Sequence, residues 1–401
     1  MRALPEQPMV SADRRARLDR FTKSTSQDPP PNIAERIREA LHVDLSSTFA
    51  GLSVAHPFGK ASGQLSCTLP QVEADLSAGI GFIVLKTVIA EDGTGARSMG
   101  AWAEPETRMR VETRPARDGR QGWTVTWKGR GWHRTLEEYG TFLRNSIAHG
   151  SAAGVPIVPS VKYHLPAAGE SYRAEEYRHT THVLRNAWRE GGAVGPLALE
   201  KDFSPTLAGD QRSGVRDTVL EWLVSVPRLI AEAVPDVHLG VKVMNALDDD
   251  AFQSAMLDVL STRTRPRPHF LTVFNRLFDS EHRVAYGGWD LSDRNLRVLD
   301  RARDAHVPLP PLSGTGNICS GRVMLEYAMR GCETGQLHTF FQIPRRHYTA
   351  MSANRTACAL HTLLLHPREG LVPWIWHLEE RGTIVSVNGE LRFRDVIDRL
   401  A

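Results

Sequence analysis

The chain has 401 residues, 41% hydrophobic and 24% charged, with a formal net charge of +3. That is globular composition, enough for one large domain or two smaller ones, and the charge is too small to point to a nucleic-acid or membrane-surface partner. Four scattered cysteines without C-x-x-C spacing (Cys67, Cys319, Cys332, Cys358) argue against a disulfide framework or a zinc site. No apolar run approaches the roughly 20 residues that cross a bilayer. The opening "MRALPEQPMVSADRRARLDR" lacks a signal-peptide core, so a soluble, cytoplasmic protein is expected.

Residues 1–48 begin polar and arginine-rich, pass through "DPPPN" and give the helical pattern "IAERIREALHVDL". This reads as an N-terminal arm and one helix. From residue 49 short apolar runs alternate with helical patterns. The expected strands are "FGKASG", "FIVLKTV", "PIVPSVK", "LALEKD", "LGVKVM", "FLTVFN", "PPLSG" and "TGQLHT". Helical patterns between them include "TLPQVEADLSAG", "DTVLEWLVSVPRLIAEAV", "AFQSAMLDVLS", "LRVLDRARDA" and "GRVMLEYAMRG". Alternating β and α argues a parallel sheet, and eight strands over about 300 residues fit a closed (β/α)8 TIM barrel, here over residues 49–345. Residues 88–150 or so are too long for a crossover and contain "GWTVTWKGRGW", which alternates like a hairpin. They read as an insertion over the C-terminal face of the barrel, where active sites sit. Residues 346–401, with "LVPWIWHLEERG", read as a closing helix and a short extension.

"LSGTGNICSG" puts three glycines in ten residues after the seventh strand. It is either a plain tight turn or a cradle whose backbone approaches a phosphate. Barrels commonly build a phosphate site from the loops after strands seven and eight, and "LHTFFQIPRR" follows the eighth. Lys86 in "VLKTV" and Lys242 in "GVKVM" stand in apolar strands, where an ammonium is costly unless paired or used. They are rim lysines, Schiff-base nucleophiles, or fixed cations beside an anionic cofactor. Strand four ends on Glu200, Lys201 and Asp202 before Ser204-Pro205, and Asn275 ends strand six; each is also an ordinary turn or cap residue. "YGGWD", with Gly287 and Gly288, is another close-approach loop.

The order of these segments resembles the dihydroorotate dehydrogenase family, FMN-dependent (β/α)8 barrels that include the flavin domain of dihydropyrimidine dehydrogenase. The resemblance covers about residues 49–345. It implies FMN as cofactor, with Ala61, Ser62 and Gly63 of "FGKASG" along the flavin and Lys86 and Thr87 beside flavin and substrate. Pro105, Glu106 and Arg108 in "AEPETR" echo the family's Asn-Pro-Glu-Pro-Arg. The resemblance also implies that Lys242 faces the flavin N1/O2 edge, that Asn275 contacts substrate, and that Gly287 and Gly288 lie at the cofactor. Gly314, Thr315, Gly316 and Asn317, with His338 and Thr339, match the two phosphate loops. Ser204 in "DFSPT" takes the place of the family's base.

The chain departs from the family where orotate would bind. Lys201, Thr206 and Trp132 stand where the family has asparagines. A site that loses such hydrogen bonds loses on the order of 10⁴-fold discrimination, so orotate is not the expected substrate. The resemblance therefore implies an FMN oxidoreductase acting on a carbon–carbon bond of another small substrate, anionic or aromatic. Hydride would pass through flavin N5 and the proton through Ser204, with Lys86 alongside. The expected partners are that substrate and an electron donor or acceptor the sequence does not name, with a homodimer as one assembly and neither nucleic acid nor membrane. Two other readings stay open: a flavin-free barrel lyase or aldolase using Lys86 or Lys242 as a Schiff base on a phosphorylated substrate, and a non-catalytic flavin-binding homologue.

Overall fold

The computed structural model of the protein describes residues 3–103, 109–115, 121–127, 131–203, 216–245, 250–275, 277–279, 284–286 and 291–400. Within them, ten short strands form one curled, all-parallel sheet: β1 (Phe58–Lys60), β2 (Phe82–Val84), β3 (Val88–Ile89), β4 (Ile157–Val158), β5 (Ser160–Lys162), β6 (Ala198–Asp202), β7 (His238–Met244), β8 (Phe270–Asn275), β9 (Leu312–Thr315) and β10 (Cys332–Leu337). The hydrogen-bonded order is β3-β5-β6-β7-β8-β9-β10-β1-β2-β4. Nearly every strand residue is buried, as in a parallel sheet covered on both faces.

The class is the expected mixed α/β, TIM-like one, and each of the eight expected strand segments lies in this sheet. The ladder, however, has ten pieces instead of eight continuous strands, and two local causes account for that. Pro159 separates β4 from β5 and has no N–H for a ladder, although its carbonyl still accepts from Glu200 N at 3.0 Å. Between β2 and β3 the Lys86 N–H turns aside to Ser66 O at 2.8 Å. β2 pairs with β4, and β3 with β5.

Helices α1 (Ala12–Thr25) and α2 (Ile33–Leu41) precede the sheet; α3 (Leu69–Ser77), α4 (Leu136–Ala153), α5 (Ala174–Glu190), α6 (Arg216–Ala233), α7 (Asp250–Thr262), α8 (Leu291–Asp304) and α9 (Gly321–Ala328) connect its strands. Then come α10 (Arg355–Leu365), α11 (Leu371–Glu380) and α12 (Phe393–Leu400). From α3 to α9 each helix packs on the next; α9 meets α11, α11 meets α10, and α10 returns to α3. Local chemistry starts them cleanly. At α4, Thr135 Oγ1 accepts from Glu138 N at 3.1 Å while Glu138 Oε2 accepts from Thr135 N at 3.0 Å, a reciprocal capping box.

The arginine-rich arm holds a helix that inspection of the sequence passes over. In α1 only Leu18, Phe21 and Thr25 are buried, an i, i+3, i+7 stripe in an otherwise polar segment. The inserted segment does contain a hairpin, Met109–Pro115 paired antiparallel with Gln121–Trp127. Trp123 of this hairpin meets His347, beyond β10, edge-on at 5.2 Å. The segment after α2 is joined to the one before α12: Val43–Asp44 pairs in parallel with Leu391–Arg392.

Candidate active site

Side chains alternate across a strand, so Ala198, Glu200 and Asp202 of β6 share one face, and Leu199 and Lys201 the other. Glu200 is fully buried and gathers four strands around its carboxylate. Lys242 of β7 donates from Nζ to Glu200 Oε1 at 3.4 Å and to Gln336 Oε1 at 3.3 Å. Gln336 of β10 donates from Nε2 to Glu200 Oε2 at 2.6 Å and to Thr272 Oγ1 at 3.0 Å. Thr272 of β8 donates to Glu200 Oε2 at 2.9 Å. β6 and β10 stand four places apart in the sheet, so this contact crosses its concave side. Isolated, either charge would be expensive here; paired and hydrogen-bonded, both are accommodated.

Nearby, the ends of neighbouring strands are linked by hydroxyls. Ser62 Oγ and Thr87 Oγ1 lie 2.8 Å apart, and Thr87 Oγ1 and Ser160 Oγ 3.1 Å. Lys162 and Asp202, at the ends of β5 and β6, form an ion pair at 3.2 Å. Lys86 is buried close enough to Cys67 for its charge to act on that thiol. Burial raises the Cys67 pKa, and the positive charges of Lys86 and Arg134 oppose the rise. Gly63 completes this edge: a Cβ there would stand 2.6 Å from the His338 ring, so the loops after β1 and β10 touch because Gly63 has no side chain.

The glycine-rich loop after β9 is held from beneath. Asn295 of α8 donates to Thr315 O at 2.9 Å, and Tyr327 of α9 donates to Gly316 O at 2.9 Å. Asn245, just past β7, donates to Asn295 Oδ1 at 3.2 Å and to Asn275 O at 2.6 Å. Gly316 has φ of 98° and Asn317 of 52°, left-handed backbone that favours glycine or asparagine. The other glycines answer to packing: a Cβ on Gly314 would meet the Tyr327 ring at 2.7 Å, and one on Gly321 the Leu371 amide at 2.0 Å. The C-terminal ends of β9 and β10, from which the two loops leave, run side by side, with Thr315 Oγ1 donating to Gln336 O at 3.1 Å. Asn317 Nδ2 donates to Ser292 Oγ at 3.2 Å, and His338 Nδ1 bonds Gln342 Nε2 at 3.1 Å before the turn that Thr339 opens.

The expected cofactor residues Ala61, Ser62, Gly63, Lys86, Thr87, Lys242, Gly314, Thr315, Gly316, Asn317, His338 and Thr339 therefore lie on strand ends and loops of one sheet. Buried Asn275 ends β8 beside Met244. One expected substrate residue, Lys201, is placed elsewhere, while Trp132 stays beside the site through its backbone N–H, which donates to Thr87 O at 2.8 Å. Lys201 faces away from Glu200, with its Nζ 4.6 Å from the Phe203 ring centre and 2.9 Å from Asp202 O. Burial, reinforced by the charge on Lys162, lowers its pKa to about 7 against the pull of Asp202. Trp132 stacks on Phe142 at 5.3 Å and donates from Nε1 to Thr135 O at 3.0 Å, while Arg134 lies 4.4 Å from its ring. Ser204, Thr206, Gly287, Gly288, Pro105, Glu106 and Arg108 lie outside the described residues.

Sequence inspection passed over Gln336, Thr272, Lys162, Asn245, Asn295 and Tyr327. Three of these, Lys162, Thr272 and Gln336, are polar residues inside expected apolar strands, the same signal that singled out Lys242. Among the described residues no three His, Cys, Asp or Glu side chains gather as metal ligands, and no helix is long and apolar enough to cross a membrane. No protein-family model matches the chain, and no curated protein matches it in sequence.

Proposed function

We propose that the chain is an FMN-dependent oxidoreductase of the dihydroorotate dehydrogenase kind, acting on a carbon–carbon bond of a small substrate other than orotate. In the same reading β2 and β3 are halves of one strand and β4 and β5 of another, so the ten pieces make a closed (β/α)8 barrel; the pairings β2–β4 and β3–β5 support this. The observation that carries the functional reading is Lys242, a buried ammonium held inside the sheet by Glu200 and Gln336, next to the paired strands β9 and β10 from which the two loops leave. An ammonium clasped by a carboxylate suits a fixed cation better than a carbonyl-attacking amine, which weighs against Lys242 as a Schiff-base lysine.

The residues present fit FMN. Half-buried Gly316 and Asn317, with His338 and Thr339, would take the phosphate; Ala61, Ser62, Gly63 and Thr87 would line the ring system. The chemistry a bound FMN supplies is two-electron hydride exchange with a substrate carbon. Lys242 would hold a positive charge where negative charge develops on reduction, already oriented and so without reorganisation. Ser204, on the segment leaving β6, would move the proton at the neighbouring carbon, with Lys86 and Asn275 orienting the substrate. Because Trp132 is stacked on Phe142, aromatic recognition gains no support from it. Lys86 favours a small anionic substrate.

The test is the visible absorption spectrum of the purified protein, followed by identification of any flavin released on denaturation. FMN near one per chain is the expected result. A colourless protein that FMN cannot reconstitute removes the reading, and borohydride trapping of substrate on a lysine would then put the Schiff-base lyase in its place.

A further inference from the structure

Glu200 lies directly against the ammonium on which the flavin reading depends. Its oxygens have different tasks. Oε2 accepts the two shorter bonds, from Gln336 Nε2 at 2.6 Å and Thr272 Oγ1 at 2.9 Å, which fix the carboxylate. Oε1 faces Lys242 Nζ at 3.4 Å, a long hydrogen bond but close enough for strong attraction. Gln336 is oriented by the same network, with its amide nitrogen on Glu200 and its oxygen 3.3 Å from Lys242. Among the described residues, two of the three Lys242 N–H groups thus have partners, and one is left for a ligand. The other interior carboxylate on β6, Asp202, is paired with Lys162 at 3.2 Å, so Glu200 is the counter-charge of Lys242.

We propose that Glu200 is a positioning residue that sets how much positive charge Lys242 presents to a bound flavin, and thereby the flavin's reduction potential. This rests on the FMN reading above. In a poorly screened interior an ammonium backed by a carboxylate presents a dipole where it would otherwise present a full charge. A ring that becomes more negative on reduction is stabilised less by that dipole, so Glu200 keeps the potential low. Glu200 would act by backing the Lys242 ammonium with its negative charge, without itself touching the flavin.

The experiment is an anaerobic titration of the FMN-loaded full chain against a reference dye, comparing wild type with Glu200→Gln. The substitution keeps the shape and an acceptor for Thr272 while removing the charge. Reduction should become about tenfold more favourable, a positive shift of about 30 mV for a two-electron couple, with FMN still bound. A purely structural role would loosen FMN without this signed shift. Bound FMN with an unchanged or more negative potential overturns the role of Glu200 and leaves the FMN reading standing. A wild-type chain that takes up no FMN overturns both. If Glu200→Gln does not fold, Glu200→Asp, which keeps the charge but withdraws it by one methylene, should give a smaller positive shift, and no shift overturns the proposal.

Discussion

Lys201 shows how one residue of register decides a side chain's role. It and Glu200 are neighbours, yet Glu200 joins an interior network while Lys201 is sealed beneath Phe203 and Tyr163. A lysine whose folded pKa is about 7 lies below its unfolded value of 10.5, so between those values the unfolded chain binds more protons. Stability therefore rises with pH from about 7, by up to about 1.4 kcal/mol per pH unit from this group, and its burial cost is fully present below 7. Lys201→Met removes the charge at similar volume. It should be the more stable protein at pH 7, with the difference shrinking toward pH 9, read from denaturant unfolding at each pH. An equal gap at pH 7 and pH 9 would show that Lys201 does not titrate in that window.

At the scale of elements, the N-terminal arm is bound to the helix that follows the glycine-rich loop. Glu326 of α9, fully buried, accepts from Leu4 N at 2.8 Å and Ala3 N at 3.1 Å, and pairs with Arg330 at 2.9 Å. Met9 N donates to His377 Nδ1 at 3.0 Å, and Thr25 Oγ1 bonds His361 Nε2 at 3.0 Å, so the arm also fastens α10 and α11. Glu326→Ala takes one carboxylate from a buried guanidinium and leaves two backbone amides without that acceptor. It should cost about 3 kcal/mol and make the arm the first site of limited proteolysis. Glu380→Ala, at the partly exposed Arg14 pair, should cost about 1 kcal/mol or less. Equal proteolysis of the two variants would mean that Glu326 is not the clasp.

For the molecule as a whole, acid is the expected weakness. His56 and His361 are buried, and burial lowers each pKa to about 4; His238 is lowered as far, first by burial and then by the neighbouring His269. At His56 the neutral form is built in: Nδ1 accepts from Phe58 N at 3.2 Å while Nε2 bonds Gly79 O at 2.8 Å. The unfolded chain takes up these protons near pH 6.5, before the folded one. Stability should therefore fall as pH drops from 6.5 to 4, by up to about 1.4 kcal/mol per pH unit for each buried histidine, with less from half-exposed His238. The check is the denaturant midpoint followed from pH 7 to 4. His361→Gln should flatten the slope by about one proton, and an unchanged slope would remove His361 from the account.

The sequence by itself determined the strand segments and most connecting helices, because parallel strands covered on both faces read as apolar runs and surface helices as 3.6-residue stripes. It also marked Lys242 and the glycine-rich loop, since a lysine in an apolar run and closely spaced glycines are visible one residue at a time. Only the tertiary structure decided that Glu200 faces inward and Lys201 outward, that Trp132 is spent on Phe142, and that Pro159 divides a strand. It alone brought Gln336 across the sheet to Glu200, and Asn295 and Tyr327 beneath the Thr315–Gly316 carbonyls. Periodicity and propensity are local, whereas these assignments depend on register and on partners 136 and 20 residues away along the chain.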